Sequence, residues 1–214
     1  MATPVISGCT TVYSFPSGDG SVKLSQLTAG VCVLSQDKLY KNFVNGVSGA
    51  NKLPSGMEVS FNLDAVLGYD VHTISFNNSG TSAFHSNNMY KWSYEIEVYP
   101  TSPTGPTIVD YGQDFSQSSF PAGVSTLTDV LKVVGTSTTQ TLVEQKTGAS
   151  GSSVDYAFSP GIIDLLVSNT LVDHGSITSV ENTVVEKFVP EPASLLLLGG
   201  ALAGFGAARR KKRS

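Results

Sequence analysis

Alternation of apolar and polar residues is the clearest pattern along the chain. Residues 89–99 read MYKWSYEIEVY, and every second side chain belongs to one apolar set: Trp92, Tyr94, Ile96 and Val98. A period of two places this set on one face of an extended strand and the polar set on the other. The segment therefore predicts a half-buried antiparallel strand, and we expect its polar face, with Glu95 and Glu97, to be solvated.

Further short β-rich segments occur before and after this strand. They are residues 57–63, 71–76, 138–145, 154–158 and 176–188, separated by turn-forming clusters at 47–51, 77–80 and 101–106. Many short strands with Gly, Pro and Asn between them are typical of a sandwich. We therefore predict a mainly β protein, an antiparallel β-sandwich of immunoglobulin-like or jelly-roll type over residues 1–188.

Two segments also tolerate a helical interpretation. Residues 161–167 are apolar enough for a buried strand or a short helix, and their length and β-branched content favour a strand. Residues 127–134 could likewise form either element, but the Thr-rich sequence that follows favours a hairpin. Both segments are therefore assigned to the sandwich.

The last 25 residues have a different composition. Residues 193–208 carry no charge, and as a helix they would span roughly 24 Å, somewhat less than a bilayer core of about 30 Å. Arginines after the run can snorkel to the phosphates and make up the difference. A buried core helix should instead show polar residues at a helical period, which this run lacks. We therefore predict one C-terminal transmembrane helix at 193–208.

A basic cluster follows this helix and sets its orientation. The cluster is Arg209, Arg210, Lys211, Lys212 and Arg213. Lys and Arg beside a membrane span stay on the cytoplasmic side. The β domain is therefore expected to face outward.

The tripeptide Pro190-Glu191-Pro192, the short apolar helix and the basic end together resemble the PEP-CTERM sorting signal of Gram-negative bacteria. The resemblance covers residues 189–214. It implies a substrate of an exosortase, a membrane cysteine protease-transpeptidase that recognises Pro-Glu-Pro and removes the tail at the outer face of the inner membrane. A simple tail anchor is the alternative, but an anchor needs no such tripeptide, whereas a protease needs the extended segment that prolines supply.

A second, weaker resemblance lies at residues 32–43. The pattern of Cys32, Asp37, Lys38, Tyr40 and Phe43 is similar to an N-terminal stretch of uncharacterised PEP-CTERM proteins. This resemblance does not indicate an activity. The residue pattern by itself predicts a strand with Leu39 and Phe43 buried.

Charge separates the domain from its tail. Eight lysines against sixteen acidic residues up to Glu186 give the outward part a formal charge of about −8, although the whole chain carries −4. Arginine occurs only in the tail. Because nucleic-acid binders need clustered cations, no nucleic-acid partner is expected.

The two cysteines, Cys9 and Cys32, are 23 positions apart. In an exported protein such a pair predicts a disulfide. Metal ligation would need further ligands, and the chain has no CxxC or HxxxH spacing; a reactive thiol is the remaining alternative. Residues 1–16 contain no apolar segment of signal-peptide length, so we expect the export signal to lie upstream of Met1 or to have been removed.

The chain contains no recognised motif for catalysis or metal binding. The three histidines have no zinc-site spacing and Gly-x-Ser-x-Gly is absent, so no catalytic residue, metal site or cofactor is predicted. Asp110 and Asp114 lack the spacing of a continuous calcium loop, although a site assembled from separate loops stays open. Tyr90, Trp92 and Tyr94 could present their rings to a sugar, but Trp92 and Tyr94 are expected on the buried face, so core packing is the preferred role.

We therefore expect a non-enzymatic exported protein with a structural or adhesive role. Its expected partners are the exosortase, the inner membrane and extracellular polysaccharide. The protein should first be held in the inner membrane with its domain in the periplasm, and later reach the outer surface or the extracellular matrix. The PEP-CTERM resemblance implies an association with exopolysaccharide and biofilm production. The alternatives are a polysaccharide-acting hydrolase or lyase and a carbohydrate-binding module. Two close carboxylates in a pocket would favour the enzyme, an exposed aromatic strip the binding module, and a smooth polar surface the structural role.

Overall fold

Strands dominate the described part of the chain. The structure is a computed structural model and describes residues 6–46, 49–66, 68–77, 84–85, 87–99, 105–117, 123–146, 153–175 and 177–187. In chain order its elements are β1 (Thr11–Phe15), β2 (Gly20–Lys23), α1 (Leu24–Leu27), β3 (Val31–Ser35), β4 (Lys38–Asn45), β5 (Glu58–Val66), β6 (Tyr69–Asn77), β7 (Asn88–Val98), β8 (Thr107–Gln117), β9 (Ser125–Val133), β10 (Thr139–Lys146), β11 (Val154–Ile162), β12 (Asp164–Asp173) and β13 (Ile177–Lys187).

These strands form two sheets. Sheet A has seven strands in the order β1-β3-β4-β7-β12-β9-β10, and sheet B has six in the order β11-β8-β13-β6-β5-β2. Strands β1 and β3 are parallel, and the other paired strands are antiparallel. The predicted mainly β, antiparallel-rich sandwich is confirmed.

The predicted aromatic face of β7 lies in the core between the sheets. Trp92 and Tyr94 are buried, and the ring centroids of Trp92 and Phe76 of sheet B are 5.2 Å apart. Leu39 and Phe43 are also buried, as predicted. Alternation thus identified which side chains of β7 face the opposite sheet.

Other predictions need correction. Residues 161–167 are extended, as favoured over a helix, but they belong to two strands instead of one, because β11 ends at Ile162, Ile163 is exposed, and β12 begins at Asp164. The segment 32–43 forms two strands rather than one: β3 and β4 are joined by the turn residues Gln36 and Asp37, and Gln36 has a φ of 53°. The C-terminal helix predicted at 193–208 lies outside the described residues.

A chain of hydrogen bonds crosses the middle of this core. Tyr94 Oη of sheet A donates to Asn182 Oδ1 at 2.8 Å, and Asn182 Nδ2 donates to Asp129 Oδ2 at 2.8 Å. Tyr111 Oη also donates to Asp129 Oδ2, at 2.6 Å. Burial raises the pKa of Asp129 to about 7, although these two hydrogen bonds act in the opposite direction. The polar chain links the sheets in one register, since any shift would leave buried groups unpaired.

A smaller cluster surrounds the disulfide near the N-terminus. Cys9 and Cys32 form an S–S bond of 2.06 Å, so the predicted disulfide is confirmed. Val12 and Leu39 are buried beside Cys32. The bond ties the segment that precedes β1 to β3.

Candidate functional site

Three groups of charged side chains are candidates for function, and they differ in how water reaches them. The first is a groove on the outer face of sheet B, formed by β8, β11 and β13. Its volume is about 420 Å³, and it is lined by Asp110, Gly112, Gln113, Asp114, Ser153, Asp155, Glu181, Thr183 and Val185. We call it the acidic groove.

Strand alternation builds the acidic groove. In β8, the inward side chains Tyr111 and Phe115 are buried in the core, so Asp110, Gly112 and Asp114 face outward. Gly112 lies opposite Asp155 of β11 and Thr183 of β13. A Cβ at Gly112 would lie 3.8 Å from Asp155 Oδ1, in ordinary contact. The glycine therefore leaves the floor of the groove open.

The acidic groove concentrates negative charge. Burial, followed by the charge of Asp155, raises the pKa of Asp110. Asp114 forms an ion pair with Lys146 at one side, and Lys146 Nζ also lies 3.1 Å from Glu144 Oε1. Such a surface offers hydrogen-bond acceptors to hydroxyl groups and repels anions.

The groove differs from what the sequence predicted. Asp110 and Asp114 lie within a strand, not in the loop for which calcium binding was considered. Asp155, Glu181 and Gly112 were not singled out at all. The alternation of Asp110, Gly112 and Asp114 with Tyr111, Gln113 and Phe115 could have indicated a polar outer face, but no local signal indicates which strands flank β8.

The second group, called the enclosed cluster, consists of Asp37, Lys38, His72 and Glu186. Lys38 begins β4 in sheet A, whereas His72 and Glu186 belong to the neighbouring strands β6 and β13 of sheet B. The side chains of Lys38, His72 and Glu186 have no solvent exposure, and that of Asp37 is 22% exposed. The cluster therefore lies between the two sheets, and within it only the Asp37 side chain reaches solvent.

Lys38 holds the enclosed cluster together. Its Nζ donates to Asp37 Oδ1 at 2.8 Å and also contacts Glu186 Oε2. His72 Nε2 is 3.5 Å from the nearest oxygen of both carboxylates, and neither ring nitrogen has a hydrogen-bond partner. Burial, assisted by the charge of Lys38, lowers the pKa of His72 to about 4. The imidazole is thus neutral at physiological pH.

The third group, called the open cluster, lies on the outer face of sheet A. Lys41 Nζ is 2.8 Å from Glu95 Oε1 and also contacts Glu97, and Asp164 lies nearby. Burial, followed by the charge of Glu95, raises the pKa of Asp164 to about 7. Glu95 and Glu97 were expected on a solvated face, and they do lie on the outer face, but their side chains are only 15% and 21% exposed. Lys41 pairs with both from the adjacent strand.

Both clusters contain three potential metal ligands within 4.8 Å of one another: Asp37, His72 and Glu186 in one, and Glu95, Glu97 and Asp164 in the other. In each case a lysine ammonium already contacts two of the carboxylates. The charge that a metal ion would supply is therefore provided by Lys38 and Lys41.

The predicted sorting residues cannot be placed beside these groups. Pro190, Glu191 and Pro192, together with the basic residues 209–213, lie outside the described residues. Within the described ranges, no helix has the length and apolar character needed to cross a membrane. The division into residues 1–188 and 189–214 stays a prediction.

The C-terminal segment nevertheless matches a known family. Residues 188–211 match the PEP-CTERM protein-sorting motif, which confirms the resemblance predicted from the sequence. The match begins directly after β13, which ends at Lys187. No curated protein matches the chain at a significant level.

Several solved structures are distantly similar to this chain. One is the carbohydrate-binding module TmCBM61 in complex with β-1,4-galactotriose, at 9% identity and a TM-score of 0.31, with 80% of this chain and 89% of that chain covered. Another is the Clostridium thermocellum xylanase 10B module pair complexed with xylohexaose, at 9% identity and a TM-score of 0.28, with coverage of 68% and 26%. A third is the family 32 module of C. perfringens NanJ with galactose, at 9% identity and a TM-score of 0.25, with coverage of 54% and 93%. Similarity at this level does not indicate a shared ligand.

Proposed function

We propose that this chain is an exported, non-enzymatic β-sandwich that an exosortase processes and that acts at the cell surface or in the extracellular matrix as a structural or adhesive component. The observation that carries the proposal is the PEP-CTERM motif at residues 188–211, which follows the last strand of the sandwich without a linker. Such a motif implies an exported protein, held transiently in the membrane and then sorted to the surface. The β domain is the cargo of this route.

The titratable groups of the enclosed and open clusters are consistent with a non-enzymatic role. His72 is enclosed in the core, so no substrate could reach its imidazole. Lys38 and Lys41 each contact two carboxylates, so these side chains already have partners within the protein. Trp92 and Tyr94 are buried, so neither provides an exposed aromatic platform for a sugar.

The acidic groove is the surface we assign to extracellular polysaccharide. Its carboxylates and the Thr183 hydroxyl can accept hydrogen bonds from sugar hydroxyls, and the open floor at Gly112 leaves room for a ring. Contact through carboxylates also favours neutral over anionic polysaccharides.

One observation favours a polysaccharide-acting enzyme as the second candidate. Asp110 has a raised pKa beside Asp155, and glycoside hydrolysis uses such a pair, with one carboxyl protonated and the other ionised. Turnover separates the two functions. If the purified protein releases reducing ends from polysaccharide and Asp110→Asn abolishes that release, the enzymatic function is supported in place of the adhesive one.

Substitution of the tripeptide tests the sorting route. Replacing Pro190, Glu191 and Pro192 with alanine should leave full-length protein in the inner membrane, measured by fractionation and immunoblotting. Alanine at Pro103 and Pro106, outside the motif, is the matched control and should leave processing intact. Normal release of the tripeptide variant would contradict the proposal.

Substitution in the groove tests the polysaccharide contact. Asp155→Asn with Asp110→Asn should reduce retention of the protein on exopolysaccharide from the producing cells, measured by co-sedimentation. Glu58→Gln, on the same sheet but in β5, is the control and should bind as the unchanged protein does. Equal binding by all three proteins would remove the groove from the proposal and leave the sorting route standing.

A further inference from the structure

The enclosed cluster leaves one feature unexplained. Glu186 Oε2 contacts Lys38 Nζ, but Glu186 Oε1 is buried without a hydrogen-bond partner. Both side chains have no solvent exposure. Burying an ion pair costs solvation energy that good geometry must offset, and an unpartnered carboxylate oxygen adds to that cost. A neutral amide would remove the cost of burying two charges, and the oxygen that remains would be an uncharged carbonyl, which is less costly to bury than a carboxylate oxygen.

We propose that Lys38 and Glu186 are joined by an amide bond between Lys38 Nζ and Glu186 Cδ. The ammonium and the carboxylate condense, the C–N bond forms, one C–O bond breaks and one water molecule leaves. The buried charges disappear together, and the bond needs no oxidant, reductant or further reactant.

Asp37 is placed to carry the protons of this step. Its Oδ1 accepts from Lys38 Nζ at 2.8 Å, and its partial exposure gives the pocket contact with water. One ammonium proton goes to the Glu186 carboxylate, which makes its carbon electrophilic and leaves a free amine. After attack, a second amine proton passes to Asp37, which then gives it to the departing hydroxyl group. Asp37 ends unchanged, and burial raises the pKa of its carboxyl toward the range that such a relay needs.

The surroundings favour the amide in two ways. Water stabilises the separated ions in solution, and that stabilisation is absent where neither side chain is exposed. The fold also holds the amine against the carboxyl, and oriented groups of this kind react as though present at an effective concentration on the order of 10⁵ M. Tyr40, which is fully buried beside the cluster, helps to exclude water.

The proposed bond would join distant parts of the chain. Its two residues are 148 positions apart and belong to different sheets. Glu186 is the penultimate residue of β13, and the sorting motif begins two positions later. The strand that leads to the processing site would therefore be covalently tied to sheet A. The proposal does not depend on the ligand of the acidic groove.

Peptide mapping tests the bond. The full chain, purified from expressing cells, is reduced, denatured and digested with trypsin. We expect a branched peptide that joins the Lys38 and Glu186 segments, with a mass one water below the sum of its parts and with no cleavage after Lys38. Linear peptides alone, with cleavage after Lys38, would overturn the proposal.

Three variants sharpen the result. Lys38→Arg should yield only linear peptides, whereas the matched control Lys41→Arg should retain the branch. Glu186→Gln should form the same branched peptide by losing ammonia instead of water, because the linked products are identical. A branch that persists in Lys38→Arg would also overturn the assignment. If Lys38→Arg does not fold, digestion of the unchanged protein and of Lys41→Arg still decides the question.

Discussion

Lys38 and Lys41 lie three residues apart on β4, and each contacts two carboxylates, yet their surroundings differ. The Lys38 side chain has no exposure and points between the sheets, whereas Lys41 is 17% exposed on the outer face of sheet A. The residue types are the same in both groups, a lysine with acidic partners. The two groups differ in burial: if the lysine were removed, water could solvate the carboxylates of the open cluster but not Glu186 of the enclosed cluster.

This difference also separates the pH responses of the two clusters. The enclosed cluster contains a histidine whose pKa is lowered, and the open cluster contains an aspartate whose pKa is raised. In both groups desolvation is the largest cause. It disfavours the charged form, which is the protonated form of histidine and the deprotonated form of aspartate. The same physical cause therefore gives opposite dependences of stability on pH.

Substitution of the lysine should give the largest difference in stability loss between the two clusters. Lys38→Met leaves Glu186 charged and buried, so we expect the free energy of unfolding to fall by at least about 3 kcal/mol. Lys41→Met should cost less than about 1 kcal/mol, because water can solvate Glu95 and Glu97. Urea titration followed by fluorescence of Trp92 measures both. Equal losses would show that burial does not govern these ion pairs.

Removing both partners of the enclosed pair sharpens this comparison. If Lys38 and Glu186 form only an ion pair, the double variant Lys38→Met with Glu186→Leu should lose little stability, since no buried charge remains. If the amide exists, the double variant also loses a cross-link across most of the chain, and we expect it to be less stable by on the order of 4 kcal/mol. Stability equal to that of the unchanged protein would argue for a simple ion pair.

The enclosed histidine should produce a loss of stability in acid. Because the folded-state pKa of His72 is about 4 and its unfolded value is 6.5, the unfolded chain binds more protons between these pH values. The contribution is intact above pH 6.5 and falls by up to about 3 kcal/mol as the pH drops to 4. His72→Gln should flatten this part of the stability curve, measured by denaturation across the window. His85→Gln, at an exposed position, is the control and should retain the slope.

The open cluster should make the smallest contribution to the pH dependence of stability, with a sign opposite to that of His72. The pKa of Asp164 is raised from 3.8 to about 7, so the folded chain binds more protons in that window. Stability from this group is therefore present at low pH and declines as the pH rises to 7. Asp164→Asn should remove that decline and raise stability at pH 8 by less than about 1 kcal/mol. A steeper decline in the variant would contradict the assignment.

Much of the fold was predictable because strand alternation is a local property. The apolar face of β7 was read correctly from residues 89–99, and the hairpin of β9 and β10 from the sequence that follows residue 134. The junction at Ile163 was missed because an apolar segment shows no alternation to mark where one strand ends. The Cys9–Cys32 disulfide followed from composition, since only two cysteines were present.

The candidate sites were less predictable. The acidic groove depends on which strands flank β8, and the neighbours β11 and β13 come from distant parts of the chain. Glu95 and Glu97 were expected to be solvated because their own strand shows only alternation, whereas their partner Lys41 belongs to β4. Strand alternation predicts the face on which a charged residue lies, but it does not predict which residue of the neighbouring strand pairs with it.

The sequence by itself determined the β character of the domain, the disulfide and the C-terminal sorting motif. The β character and the sorting motif depend on residue types at short spacing, and the disulfide depends on composition, since the chain has only two cysteines. Only the tertiary structure decided that Lys38 is enclosed while Lys41 is accessible, because the exposure of a side chain depends on what the opposite sheet places over it. Glu186, 148 positions from Lys38, reaches that lysine only when the two sheets stack.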